Sequence, residues 1–254
     1  MDRVITVYGG PLVAWASAWL AGHAAFDHVL GAVEGRQLVD CTRDGVFSTH
    51  GRAGTLGEVL IAWRQAGVRP RLVLPVAGDV RGLPGPTSFR AAALEAGEAV
   101  FAAGVGLVPQ RVSRAPSSAP PLLVWQVFDV DEPAQDYASL TEVQHELTEA
   151  IRDSASALSS AEVAGCFADV QAPLADARRA GERLDLPAGM PARAVALVAQ
   201  AERLSAVLEL VGADPIGGAV DRVGIAARTD ALRPLAAAVR HARTAGYNAL
   251  SDAG

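Results

Sequence analysis

The pattern of apolar residues changes near residue 137, and this change constrains the fold more than any other feature of the sequence. Before it, short apolar runs alternate with Gly- and Pro-rich turns, and the run LLVWQVFDV (residues 122–130) is apolar on both faces except at Gln126 and, near its end, at Asp129. Such a run is typical of a central strand that is covered on both sides. After it, apolar residues recur at helical spacing, first at Leu140, Val143, Leu147, Ile151 and Leu158. The sequence therefore predicts an α+β fold: an N-terminal mixed β-sheet domain with helices (residues 1–131), followed by an Ala-rich C-terminal helical bundle or hairpin (residues 137–254).

Turn and capping residues divide the first half into elements. Thr55 and Glu58 form a capping-box pattern, and Gly67 is placed to end the helix that they begin. Gly104 predicts a hairpin turn between two apolar runs. Residues 28–50 contain Glu-Gly and Asp-Gly turn pairs, which predict an antiparallel meander of three short strands.

Composition and charge exclude several classes of function. All 22 basic residues are arginine, so the chain contains no Schiff-base lysine and no P-loop lysine. Pyridoxal-phosphate catalysis and Walker-type nucleotide hydrolysis are therefore excluded. The net charge is −6 and is spread over both halves, which leaves no basic surplus for a nucleic-acid backbone, and we expect no nucleic-acid partner. The richness in alanine and arginine indicates a high-GC bacterium.

Two features bear on localisation. Cys41 and Cys166 are far apart and form no CxxC motif, which favours a reducing cytoplasm. Residues 4–22 carry no charge, as in a signal peptide or membrane span, but Gly9-Gly10-Pro11 interrupts them. We therefore expect a short strand, a turn and a buried helix, in a cytoplasmic protein with no membrane segment. Attachment to the cell envelope through residues 4–25 is the alternative.

The Gly/Pro-rich loop at residues 78–90 is the first candidate binding site. Its glycines permit close approach of the backbone, and the helix predicted to follow, capped by Thr87 or Ser88, offers N–H groups to an anion. Arg81 and Arg90 would add charge-assisted contacts to a phosphate or carboxylate. The glycine spacing differs from the dinucleotide-binding fingerprint. A rigid connection is the favoured interpretation of the loop, and an anion site is the alternative.

Two further groups of reactive side chains precede this loop. In the predicted hairpin at residues 40–52, Cys41 and His50 lie on neighbouring strands, and contact between them would produce a thiolate nucleophile. His23 and Asp27 are four residues apart on a helix predicted from residue 11 to residue 26, where they would share a face as metal ligands or as a general-base pair. In both cases a structural role is the favoured interpretation, and we predict no metal and no cofactor.

These patterns leave two hypotheses about function. The favoured one is a non-enzymatic interaction or oligomerisation protein whose C-terminal helices contact a second copy or a protein partner, because narrow apolar stripes need a neighbour. The alternative is a small-molecule or anion-binding enzyme with a pocket formed by the 78–90 loop, the 40–52 hairpin and the His23 helix. Its predicted ligand-binding residues are Asp79, Arg81, Arg90 and His50. Neither hypothesis assigns a catalytic residue.

Overall fold

The chain folds into an α+β structure, as the change in apolar pattern predicts. The computed structural model describes residues 7–33, 37–40, 54–112, 122–131, 139–160, 171–213 and 222–252. In this part of the chain the elements are, in order, α1 (Gly9–Leu20), α2 (Phe26–Ala32), β1 (Gln37–Asp40), α3 (Leu56–Ala66), β2 (Arg71–Val73), α4 (Thr87–Ala96), β3 (Ala99–Ala102), β4 (Val105–Val112), β5 (Leu122–Asp129), α5 (Leu140–Ser160), α6 (Gln171–Ala180), α7 (Ala192–Ala213) and α8 (Arg222–Asp252).

The chain divides into two compact units. One, here called the sheet unit, consists of residues 7–137, 185–190 and 247–254. The other, here called the helical unit, contains residues 138–184 and 191–246. Helix α8 therefore contributes most of its length to the helical unit and its last residues to the sheet unit.

The sheet of the first unit is mixed. Its strand order is β1-β5-β4-β3-β2, with antiparallel pairing from β5 to β2 and parallel pairing between β1 and β5. Strand β5 thus has a neighbour on each side, and most of its residues are buried, with Gln126 half-buried. This confirms the central position that its apolar pattern predicts.

The predicted hairpin at Gly104 joins β3 to β4 through a two-residue turn. Ala103 and Gly104 both have positive φ, at 50° and 79°, as a type I′ turn requires. Glycine adopts this conformation without strain, whereas the Cβ atom of alanine meets the backbone there. Ala103 is thus a strained residue in an otherwise favourable turn.

Replacing Ala103 with asparagine is expected to stabilise the protein by about 0.5–1 kcal/mol, because asparagine tolerates the left-handed region better than alanine. Urea unfolding followed by tryptophan fluorescence measures the change. Ala103→Val serves as the control of opposite sign, since a β-branched residue is strained further at positive φ. Equal stability of the two variants would show that the turn conformation does not limit stability.

Helix α3 forms as its end signals predict. The Thr55 N–H donates to the Glu58 carboxylate over 2.7 Å, and Gly67 ends the helix in the left-handed conformation with φ 68°. The apolar stripe of the helix is fully buried and consists of Leu56, Val59, Leu60 and Trp63. The local signals in the sequence therefore predict both ends of this helix correctly.

Three local predictions in the first half are wrong. Residues 26–32 form helix α2 and not the first strand of a meander, because Phe26, Val29 and Val33 follow helical spacing and Val29 is buried. β1 pairs in parallel with β5, which is distant in sequence, and the remainder of the predicted meander lies outside the described residues. Helix α4 begins at Thr87 with Pro86 as N-cap residue and without a side-chain cap, because the restricted φ of proline already suits this position.

Helices α5, α7 and α8 enclose the core of the helical unit. The Arg193 side chain donates to the Thr141 hydroxyl, and the Gln144 amide donates to the Gln200 amide oxygen, so the beginnings of α5 and α7 lie side by side. Helix α8 runs antiparallel to α5, because His241 pairs with Glu146 whereas Ser154 donates to the Ala231 carbonyl. The buried residues of this core are Val143, Leu147, Ala150, Leu197, Ala201, Leu235, Ala238, Val239, Ala242 and Ala245.

Candidate functional site

The predicted anion-binding loop contains an internal ion pair. Val76 and Asp79 close a tight turn with two backbone hydrogen bonds of 3.0 and 2.9 Å, and Gly78 has φ 86° within it. The Arg81 guanidinium donates to both oxygens of Asp79, over 2.9 Å from Nε and 3.1 Å from Nη2. The Arg81 guanidinium, which was predicted to bind a phosphate or carboxylate ligand, is therefore paired with a carboxylate of its own loop.

The other two predicted ligand-binding residues are Arg90 and His50. Arg90 lies exposed on α4. His50 and residues 41–52 of the predicted hairpin, including Cys41, lie outside the described residues, as does Cys166. Of the four predicted residues, the structure brings Asp79 and Arg81 together.

The prediction that His23 and Asp27 share one helical face is wrong. Helix α1 ends at Leu20, and Gly22 has φ 81°, which turns the chain before His23. Asp27 lies in the first turn of α2. His23 instead lies against residues 185–190, where a Cβ atom on Gly189 would come within 2.6 Å of its ring. No three His, Cys, Asp or Glu side chains in the described part of the chain are grouped to hold a metal ion.

In the described part of the sheet unit, several directed polar contacts involve residues 247–252, here called the C-terminal segment. Asn248 is 2% exposed, and its side-chain oxygen accepts from the Leu72 N–H over 2.8 Å. Its amide nitrogen donates to the Leu72 carbonyl over 3.0 Å. β2 is the last strand in the sheet order, so this amide supplies the pair of hydrogen bonds that a further strand would make.

Further contacts fix the C-terminal segment to the residues just before β2. The Ser251 hydroxyl donates to the Pro70 carbonyl over 2.6 Å, and the Arg69 guanidinium donates to the Leu250 carbonyl over 2.6 Å. This arginine binds a carbonyl near the C-terminal end of α8, where a cation is favourable. Asp252 forms an ion pair with Arg71.

Helix α1 provides the other side of this docking surface. The Ser17 and Ser251 hydroxyl oxygens are 2.9 Å apart and hydrogen-bonded. The ring of Tyr247 lies so close to Gly10 that a Cβ atom there would come within 2.7 Å of it. Gly10 is therefore needed for close packing. It lies in the first turn of α1, which begins at Gly9 and not at Pro11, so the predicted chain turn at Gly9-Gly10 is wrong.

Burial and charge oppose each other at Asp252. Partial burial of the carboxyl raises its pKa above the ordinary value, and the adjacent Arg71 guanidinium lowers it by a smaller amount. The Asp252 carboxyl is therefore protonated more readily than an ordinary aspartate, although it is paired with Arg71.

A second buried polar group lies at the beginning of α1. Glu98, which is 1% exposed, accepts from the Gly9 N–H over 2.7 Å and from the Tyr8 N–H over 3.1 Å. These N–H groups belong to the first turn of the helix, where a carboxylate is favoured by unsatisfied donors and by the helix dipole. Glu98, the residue just before β3, thus caps the beginning of α1 from a distant part of the chain.

The helical unit contains a buried ion pair of its own. Arg243, which is 7% exposed, donates from Nε and Nη2 to the two oxygens of Glu202, each over 2.9 Å. Its third nitrogen lies 3.3 Å from the Ser205 hydroxyl. Burial raises the pKa of the neighbouring Glu209, an effect that Arg243 opposes and Glu202 reinforces. This bidentate pair fixes the position of α8 along α7.

Asn248, Glu98 and Arg243 share one property that sequence reasoning missed. Each bonds to a partner on a different element, so no short motif marks it. Glu98 and Arg243 position helices, and Asn248 completes the hydrogen bonds of a strand edge.

No helix in the described residues has the length and apolar character needed to cross a membrane.

Two protein-family models match the chain. The model described as Rv1486c-like protein, N-terminal domain, matches residues 10–142, and the model described as Rv1486c-like protein, C-terminal domain, matches residues 141–244. Together they span both halves that the apolar pattern distinguishes.

Mycobacterial relatives match along nearly the whole chain. Uncharacterized protein MT1533 of Mycobacterium tuberculosis (strain CDC 1551 / Oshkosh) is 35% identical over an alignment 282 positions long, gaps included, which covers 94% of this chain and 95% of the relative. Uncharacterized protein ML1804 of Mycobacterium leprae (strain TN) is 32% identical over an alignment of 288 positions, with the same coverage. No solved structure matches the chain.

Proposed function

The chain belongs to the Rv1486c-like protein family, and from this premise we propose that it is a non-enzymatic protein that associates with a second copy of itself through its C-terminal helices. The names of the curated relatives state no activity. The proposal is therefore supported by the packing of the helical unit.

The observation that carries the proposal is uneven burial along the helical core. Where α5 and α7 begin, the core residues Val143, Leu147 and Leu197 are almost completely buried. Leu140, at the beginning of α5, is half-buried. The other half-buried side chains packed on this core lie farther along α5 and α7 or in the first half of α8. These are Ile151, Leu204, Leu208 and Leu232, here called the half-covered end. Covering this apolar surface would release free energy in proportion to its area.

The charges beside the half-covered end favour a second copy as the occupant. Arg152 and Asp153 lie exposed on α5, and Asp230 and Arg233 form an ion pair on α8. The hydrogen bond from Ser154 to Ala231 places these two groups side by side. Their charges cancel, so two such ends can approach without the repulsion expected from the overall charge of −6. A surface of this kind suits a two-fold contact, in which the same patch is presented by both subunits.

Light scattering coupled to size exclusion tests the proposal. We expect the wild-type protein to have twice the chain mass of 26.2 kDa. Leu208→Glu places a charge in the half-covered end and is expected to give single chains. Val195→Glu is the matched control, because Val195 lies on the same helix, outside this end, and is already 37% exposed; this variant is expected to remain a dimer.

Circular dichroism establishes whether each variant is folded. Leu232→Glu, on α8, provides a second probe of the same surface if Leu208→Glu does not fold. A wild-type protein that remains a single chain at all accessible concentrations would overturn the proposal. Folded Leu208→Glu or Leu232→Glu protein that still has the dimer mass would show that the contact does not use this end.

A further inference from the structure

We propose that the C-terminal segment acts as a folding lock, so that the sheet unit becomes stable only after the chain beyond the helical unit has been made and has docked. The lock residues 247–252 lie outside both matched family regions, which end at residues 142 and 244. This inference is independent of self-association. It concerns the last residues of the sheet unit and the rest of that unit.

The first support is the edge of the sheet. β2 has only three residues and pairs with β3 on one side. Leu72 is fully buried, and the hydrogen bonds of its N–H and carbonyl to Asn248 are those given above. Removing the amide would leave two backbone polar groups in a buried position without these partners, which is costly. The native edge therefore requires this segment.

The second support is the distance along the chain. Asn248 and Leu72 are 176 residues apart, and Ser17 and Ser251 are 234 residues apart. The lock is synthesised after every other element of the sheet unit. Contacts of such large sequence separation form late, because the entropy of loop closure must be overcome first. The sheet unit consequently cannot acquire its complete set of contacts while only the first half of the chain exists.

The third support is the division of α8 at Gly246. Gly246 is the last residue of the helical unit and Tyr247 begins the final part of the sheet unit. A Cβ atom on Gly246 would come within 2.4 Å of the Val198 side chain, so the glycine is fixed by packing on α7. One continuous helix thus carries the contacts of the helical unit before Gly246 and presents Asn248 immediately after it.

The distribution of tryptophan permits a direct test in the full-length chain. All four tryptophans, Trp15, Trp19, Trp63 and Trp125, belong to the sheet unit, so tryptophan fluorescence follows that unit alone. Asn248→Ala is expected to lower the midpoint of the thermal transition seen by fluorescence by about 5–10 °C. His241→Ala is the matched control, because His241 lies on the same helix but pairs with Glu146 in the helical unit. It is expected to leave the fluorescence transition unchanged.

An engineered disulfide tests whether holding the C-terminal segment in place restores the stability lost in Asn248→Ala. With Cys41 and Cys166 replaced by serine, Ser17→Cys and Ser251→Cys place two thiols where hydroxyl oxygens now lie 2.9 Å apart, and their oxidation to a disulfide would hold the segment in place. In the Asn248→Ala background, the disulfide is expected to restore the fluorescence midpoint, and reduction is expected to lower it again. Three results would each overturn the lock: an unchanged midpoint in Asn248→Ala, equal shifts in Asn248→Ala and His241→Ala, or no restoration by a disulfide shown to have formed.

Discussion

Glu202→Ala is expected to destabilise the helical unit by about 3–5 kcal/mol, because it leaves the Arg243 guanidinium buried without its carboxylate partner. Its remaining polar neighbours are the Ser205 hydroxyl, 3.3 Å from Nη1, and Glu209, a carboxyl whose pKa burial raises. The side chains of this pair are only 9% and 15% exposed, so screening by solvent is weak and the surface value of about 0–1 kcal/mol does not apply. Urea unfolding followed by far-ultraviolet circular dichroism measures the loss.

The double variant Glu202→Leu with Arg243→Met distinguishes the cost of a lone charge from the contribution of the pair. Replacing both members with apolar residues removes the desolvation penalty together with the attraction, and we expect stability close to that of the wild type. If the double variant is as unstable as Glu202→Ala, the pair itself is a net stabilising contact and our explanation of the single variant is incorrect.

Glu98→Ala is expected to destabilise the sheet unit by about 3 kcal/mol, because two charge-assisted hydrogen bonds to the beginning of α1 are lost at a buried site. The N–H groups of Tyr8 and Gly9 would lose the carboxylate that now accepts from both. Water does not readily replace it, since Gly9 lies close to Leu72 and Val100. Tryptophan fluorescence in urea measures the change.

Glu98→Gln separates the contribution of the negative charge from that of the hydrogen bonds at the beginning of α1. Its amide oxygen can still accept one hydrogen bond, but it lacks the negative charge that complements the helix dipole. We expect a loss of stability between those of the wild type and Glu98→Ala. A glutamine variant as stable as the wild type would assign the effect to hydrogen bonding alone, and an alanine variant as stable as the wild type would contradict the capping role.

Sequence patterns were sufficient where the signal is local. Thr55, Glu58 and Gly67 act within one helix, and Gly104 acts within one turn, so neighbouring residues contain all the required information. The apolar run of β5 also predicts its central position, because burial on both faces excludes polar residues from either face. The fold class follows from such local patterns added along the chain.

Contacts between residues that are far apart in the chain leave no comparable pattern in the sequence. The partner of Asn248 is 176 residues away, and Glu98 acts on a helix that begins 89 residues earlier, so composition near each residue gives no hint of its role. The 78–90 loop is different, because Asp79 and Arg81 are only two residues apart and their ion pair is a local contact. Anion binding by this loop stays a prediction.

The pairing of Asn248 with Leu72 also has a consequence for aggregation. A sheet edge with exposed peptide groups is a template on which a strand of another molecule can add, and proteins protect such edges in several ways. Here a side-chain amide imitates one peptide unit and ends the sheet at Leu72. A single buried asparagine, carried by a helix, thereby prevents the sheet from growing beyond its own chain at this position.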